Sequence, residues 1–186
     1  MALYKKWKRI GLYTSPTIPQ TYTIVKKVAV SGAGTCKPET LDAEVEIKAN
    51  ADKLYKFISN QHYDFPKAAS DKIHDVTVHE GDWETSGSVK LWQYTLDGNV
   101  ETYKDKVEID EANKRVRLTA LEGSHVLDNY KSFRFTCQVI TPNSEGSSVK
   151  ITLEYEKLNE NDPPPQKFLS LVVNVIKDVD AHLLKE

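Results

Sequence analysis

The stretch His79-Glu80-Gly81-Asp82-Trp83-Glu84-Thr85-Ser86-Gly87-Ser88-Val89-Lys90-Leu91-Trp92 decides how this chain is read. Gly81 and Gly87 bracket a short polar loop, and a strand pattern starts directly behind it. Glycine adopts positive φ at little steric cost, so such a loop lets the backbone turn tightly between two strands. A phosphate cradle is the competing reading. That chemistry needs Gly-x-x-x-x-Gly-Lys-Ser/Thr opening a helix, so that amides and a lysine meet the anion. Here Gly87 leads into Ser88-Val89 and a strand, while Asp82 and Glu84 put negative charge inside the loop. Phosphate binding is set aside.

Working outward, the same theme repeats. Leu41, Ala43, Val45 and Ile47 alternate with Asp42, Glu44, Glu46 and Lys48, which describes a strand with one wet face over Thr40–Lys48. Asn50–Ser59 opens with a capping residue and places Leu54, Phe57 and Ile58 on one helical side; a second short helix or turn is expected around Phe65–Ser70. Strands then read as His74–Glu80, Ser86–Leu96, Val100–Ile109, Arg115–Glu122, Tyr130–Ile140 and Ser148–Leu158. Leu96-Asp97-Gly98-Asn99, Asp110–Asn113 and Pro142–Gly146 supply turn chemistry between them. Asn161-Asp162-Pro163-Pro164-Pro165 stops the last strand and launches a helix to about Lys185. In it Phe168, Leu169, Val172, Val173, Ile176, Val179 and Leu183 share one broad stripe. The fold class is therefore α+β: seven strands in series, two short helices after the first, and one long C-terminal helix to cover the sheet's apolar face.

Composition and charge narrow the function. Hydrophobic content of 39% and charged content of 28% are those of a soluble globular protein. No apolar run approaches the roughly 20 residues that span a bilayer, so membrane insertion is not expected. Residues 1–38 hold seven basic side chains and no acid, which leaves 18 basic against 27 acidic groups in the rest. So acidic a body repels phosphate backbones, and nucleic acid is an unfavourable partner. The boundary falls near residue 36: a basic extension over 1–36, then one domain over 37–186. The extension is expected to be a disordered tail or a gene-model artefact that contributes nothing to the sheet. Its hydroxyl-rich, acid-free composition reads only weakly as a plastid transit peptide, so the cytoplasm is the expected location. Cys36 and Cys137 make no disulfide framework, and Cys137 in its apolar strand reads as a buried free thiol in a reducing compartment. The five histidines, His62, His74, His79, His125 and His182, show no ligand spacing. Each reads as a surface or solvated residue, and neither metal nor cofactor is expected.

A glycine loop of this composition, entering a meander that ends in a helix, resembles the plant major latex proteins of the Bet v 1 superfamily. Further landmarks are Leu41–Ala49 leading into Ala51-Asp52-Lys53, Asp97-Gly98, Glu122-Gly123, Tyr130-Lys131-Ser132-Phe133 and Glu154-Tyr155-Glu156-Lys157-Leu158. The resemblance covers Pro38 to Glu186. It implies a helix-grip (START-like) fold in which a curved antiparallel sheet grips the long helix over an internal hydrophobic cavity. Ser124–Asn129 departs from the family pattern: it is one residue longer than expected and opens with serine where aspartate is usual.

That cavity implies binding or carriage of a hydrophobic small molecule such as a sterol, fatty acid, hormone or specialised metabolite, by a monomer with a role in plant defence or stress. Expected lining residues are Phe57, Leu91, Tyr103, Phe133, Phe135, Val139, Ile151, Leu153, Tyr155, Leu169, Val172 and Ile176. The alternative is a cofactor-free isomerase, cyclase or lyase of specialised metabolism, with Tyr103, Asp105 and His62 as its acid–base groups. Strand parity turns Tyr103 and Asp105 inward, although a solvated Asp105 near the cavity mouth is the plainer reading. Norcoclaurine synthases in this superfamily use such a tyrosine and acid with a lysine on the next strand. Val116 occupies that lysine's place, so amine-based condensation is poorly supported. A third role, transient docking of a protein partner, would fall to loops 79–87 and 124–129.

Overall fold

A computed structural model describes residues 25–28, 37–141 and 147–185. The expected turn at Pro142–Gly146, and the extension apart from residues 25–28, lie outside the described residues. The described elements are β1 (Val25–Val28), β2 (Glu39–Ile47), α1 (Ala51–Asn60), α2 (Phe65–Ala68), β3 (Ile73–Glu80), β4 (Val89–Leu96), β5 (Asn99–Asp110), β6 (Arg115–Ala120), β7 (Tyr130–Ile140), β8 (Ser147–Lys157) and α3 (Gln166–Leu183). They form one antiparallel sheet in the order β1-β2-β8-β7-β6-β5-β4-β3. Among the described residues no helix is long and apolar enough to cross a membrane.

Local chemistry sets the elements. Asn50 Oδ1 accepts from the Asp52 and Lys53 amides at 2.9 and 3.1 Å and starts α1. The β4–β5 hairpin turns on Asp97 (φ 54°) and Gly98 (φ 83°), both in the positive-φ region that a two-residue turn of this hand requires. In the quoted loop Gly81 has φ 79°, and a Cβ there would lie 2.4 Å from Ser88 Oγ, which accepts from the Asp82 amide at 3.1 Å. Asp82 in turn accepts from the Glu84 and Thr85 amides at 2.9 and 2.7 Å, so the loop is bonded internally. Strand β4 starts later than the alternation suggests because Gly87 and Ser88 close the loop against Val107, at 2.7 and 2.9 Å.

Two expectations are corrected. The sheet has the seven expected strands and an eighth: the backbone of Val25–Val28, inside the supposed tail, pairs with Glu39–Asp42 of β2. An unpaired β2 would present a row of free N–H and C=O groups, which any short extended segment can satisfy. A Val-Lys-Lys-Val run is too short to signal a strand by alternation. The second correction concerns His62, which was read as a surface residue and is buried.

The core forms where α3 lies across the inner face of the sheet. Leu41, Val149, Ile151 and Leu153 are buried with Leu169, Val173 and Val179 of the helix. Asp180 holds the far end of α3, its Oδ1 accepting from the Lys48 and Ala49 amides at 3.0 and 2.8 Å. An acid near a helix C-terminus opposes the helix dipole, so this tertiary bond must outweigh a local penalty. Replacing Asp180 with alanine should cost about 1–3 kcal/mol by urea denaturation, because two amides lose their acceptor. Asp180→Asn should cost less, since its amide oxygen can still accept; equal losses would show that the bonds do not seat the helix.

Candidate ligand-binding site

One helix cannot fill the concavity of a curved sheet. A void of about 80 Å³ lies between α3 and the β3–β7 half of the sheet. Strands β5, β6 and β7 supply Tyr103, Val116, Leu118, Phe135 and Cys137. The helix supplies Phe168, Leu171, Val172, Val175 and Ile176. At the end near α1 and α2 stand Ile58, His62, Phe65, Ile73, Trp92 and Tyr94. No Lys, Arg, Asp or Glu lines it. Its volume is limited by Phe168, whose ring packs at 4.9 Å from Phe133, 5.7 Å from both Tyr103 and Phe135, and 6.0 Å from Tyr94.

Of the expected lining residues, the structure brings Tyr103, Phe135, Val172 and Ile176 to the void, with His62 from the acid–base set. Phe57, Phe133, Val139, Ile151, Leu153, Tyr155 and Leu169 are buried in the core without lining it, because the helix seats tightly on β2 and β8. Leu91 falls on the opposite face, since the inward parity of β4 belongs to Lys90, Trp92 and Tyr94. Trp92, Tyr94, Val116, Leu118, Cys137 and Phe168 are lining residues that alternation placed in strands or the helix stripe but could not assign to a cavity.

The polar groups have definite partners and states. Tyr103 donates its hydroxyl to the Leu118 carbonyl at 3.2 Å, and Tyr94 donates to Glu101 Oε2 at 2.9 Å. Burial raises both phenols above their ordinary range. It also pushes the Cys137 thiol up to about 12. His62 Nε2 lies 2.8 Å from the Ile58 carbonyl, which can only accept, so the proton sits on Nε2 and Nδ1 is an acceptor. Burial lowers the His62 pKa to about 4.

Asp105 is fully buried (0% exposed) rather than solvated, and it does not line the void. Burial lifts its pKa well above the ordinary carboxylate range, opposed by Trp92 and Lys90. Lys90 stands directly opposite Asp105 across the β4–β5 ladder and is only 1% exposed. Its ammonium donates to the Asp82 carbonyl and lies 5.2 Å above the Trp83 ring, which packs edge-on to Tyr63 at 5.3 Å. Lys90 thereby ties the 79–87 loop to β4. The unusual segment is likewise bonded in: Ser124 Oγ accepts from the Lys104 amide at 2.8 Å, and His125 Nδ1 accepts from the Thr102 amide at 2.9 Å. Among the described residues no group of three or more His, Cys, Asp or Glu could hold a metal ion.

Residues 36–186 match the pathogenesis-related protein Bet v 1 family. The chain belongs to that family. MLP-like protein 43 of Arabidopsis thaliana is 40% identical over 148 residues, covering 78% of this chain and 93% of the relative. Ginseng major latex-like protein 151 from Panax ginseng superposes with a TM-score of 0.76 at 31% identity, covering 79% of this chain and 98% of that one. Norcoclaurine synthase from Thalictrum flavum, at 16% identity and TM-score 0.62, shares the fold alone, over 86% of this chain and 97% of its own. This Bet v 1 family member thus sits with the major latex-like proteins.

Two of the buried titratable groups, His62 and Asp105, pull stability in opposite directions with pH. For His62, the unfolded chain binds a proton between about pH 6.5 and 4 that the folded one refuses, so stability falls as pH drops through that window. Asp105 has a raised folded pKa, so its contribution is present at low pH and is lost as pH rises above the unfolded carboxylate range. Between pH 7 and 5, His62→Gln should escape about 2 kcal/mol of the acid destabilisation of the parent in denaturant titrations. Asp105→Asn should flatten the loss on the alkaline side. Parallel pH curves for parent and variants would contradict these assignments.

Proposed function

We propose that this Bet v 1 family protein binds a compact hydrophobic small molecule between its sheet and α3, as a carrier rather than an enzyme. The carrying observation is the apolar void itself. Protein interiors pack to nearly crystalline density, so an apolar space flanked by a few polar atoms is the ordinary form of a ligand site. Its size favours small ring-bearing metabolites or hormones over sterols and long fatty acids, which would have to part α3 from the sheet.

Acid–base catalysis needs a group whose pKa lies near the working pH. The titratable lining groups are His62 at about 4, Cys137 at about 12 and two phenols raised above their usual range. Tyr103 spends its proton on a backbone carbonyl, and Asp105 lies outside the lining. A carrier in the cytoplasm, where the buried free Cys137 stays reduced, accommodates all of these features.

Benzene added to isotopically labelled protein should shift the methyl resonances of Leu118, Leu171, Val172 and Ile176. Val172→Phe, which fills the void, should abolish those shifts while leaving the fold intact. If benzene moves none of these methyls, the carrier reading fails.

A further inference from the structure

A row of four buried rings leads away from the void through the core. Phe168 of α3 packs edge-on to Phe133 at 4.9 Å. Phe133 meets Tyr130 at 5.6 Å, and Tyr130 meets Tyr155 at 5.5 Å. The far members are fixed by hydrogen bonds: Tyr130 donates to the Pro163 carbonyl at 3.0 Å, and Tyr155 to Glu39 Oε2 at 2.9 Å. Phe168 is the near end of the row. Of the four rings it alone lines the void, and Phe133, the next one, is buried without lining it. A phenyl ring makes no hydrogen bond, so Phe168 is kept in place by its contacts with Phe133, Tyr103, Phe135 and Tyr94. The opposite end of the void is tied more firmly. There His62 packs on Phe65 and Trp92, and its Nε2 lies 2.8 Å from the Ile58 carbonyl.

We propose that Phe168 sets the length of the ligand: its ring limits the cavity to a single-ring apolar molecule, and a smaller side chain there would admit two fused rings. This inference rests on the cavity being the ligand site, and it names the size class accepted and the side chain that imposes it. The present 80 Å³ is smaller than the roughly 150 Å³ apolar cavity that holds benzene, so one ring is the largest body that a modest adjustment admits. Removing the phenyl group of Phe168 joins that space to the one the ring occupies and brings Phe133 into the lining. A core relaxes only partly around a large-to-small exchange, so most of the added space stays open. It is one ring long, which is the difference between toluene and naphthalene. The chemistry of the wall is unchanged, because Phe133 is as apolar as the ring it succeeds and no Lys, Arg, Asp or Glu lines the void. The seat of the helix on β2 and β8 rests on Leu169 and Val173, both at 0% exposure, and not on Phe168.

The test titrates the full chain with toluene and naphthalene, reading the methyl resonances of Leu118, Leu171, Val172 and Ile176. A cavity without a length limit prefers naphthalene, because the larger hydrocarbon removes more apolar surface from water. In the parent protein naphthalene should instead bind about tenfold more weakly than toluene, since a second ring overpacks the site. Phe168→Ala should reverse that order. Phe133→Leu alone should leave the parent's preference unchanged, because Phe168 stands between that ring and the ligand. Added to Phe168→Ala, the same change should weaken naphthalene severalfold, a coupling that a general loss of stability would not produce. Should Phe168→Ala fail to fold, Phe168→Leu should narrow the preference for toluene, and the parent's own ratio stands without any variant. Naphthalene bound by the parent as tightly as toluene, or a preference unchanged in Phe168→Ala or Phe168→Leu, would overturn the length limit and leave the cavity reading standing. If neither hydrocarbon binds the parent, both readings fall together.

Discussion

Everything else in the structure depends on how α3 is seated against a curved sheet. The helix has one apolar stripe and the sheet one apolar face, and among the described residues the two bury each other. The fit is close on β2 and β8, where Leu41, Val149, Ile151 and Leu153 meet Leu169 and Val173, all at most 1% exposed. Curvature then forces a gap on the other side, beneath β3–β7. Register shifts in the β3–β4 and β7–β8 ladders mark where the sheet departs from a regular surface. The cavity is thus the geometric remainder of packing a straight helix into a concave sheet.

How that remainder is partitioned sets its chemistry. Phe168 reaches from the helix into a ring of four aromatic neighbours and shortens the void at one end. At the other end His62, Phe65 and Trp92 pack ring to ring, at 5.2 to 6.1 Å between centroids. Beyond Trp92 lies a buried cross-strand pair, Lys90 and Asp105, whose ammonium is directed away to the glycine loop. Both charges are costly to bury, and the structure spends the lysine on loop closure while the carboxyl tends toward its neutral form. The result is a pocket lined by no charged side chain, beside a glycine loop that the buried lysine ties down.

The fold was largely legible in the chain. Period-two alternation in Leu41–Ile47 and in Phe133–Val139, the Asp97-Gly98 turn and the stripe from Phe168 to Leu183 each carry a local signal that survives in three dimensions. Their agreement is why the strand series and terminal helix could be read at all. The site was legible only in part. Alternation tells which face of a strand a residue occupies and the apolar stripe does the same for a helix, so Tyr103, Phe135, Val172 and Ile176 could be placed inward. It does not tell which inward residues the helix covers, so Ile151, Leu153 and Leu169 look like lining and are packed core. Lys90 gives no sign of burial, because a strand lysine ordinarily marks the wet face. His62 sits in a connecting turn, where neither period applies. Its burial follows from packing against Ile58 of α1, Phe65 of α2 and Trp92 of β4, and the last of these is remote in sequence.

The central claim is that the space between α3 and the β3–β7 half of the sheet is a real, enterable apolar cavity. Xenon tests it directly, because the atom is small, uncharged and held only by dispersion in apolar voids. Crystals equilibrated under xenon pressure should show a bound atom in contact with Val116, Leu118, Val172 and Ile176, with the surrounding backbone unmoved. Xenon absent from that space at saturating pressure, or bound only elsewhere, would contradict the account.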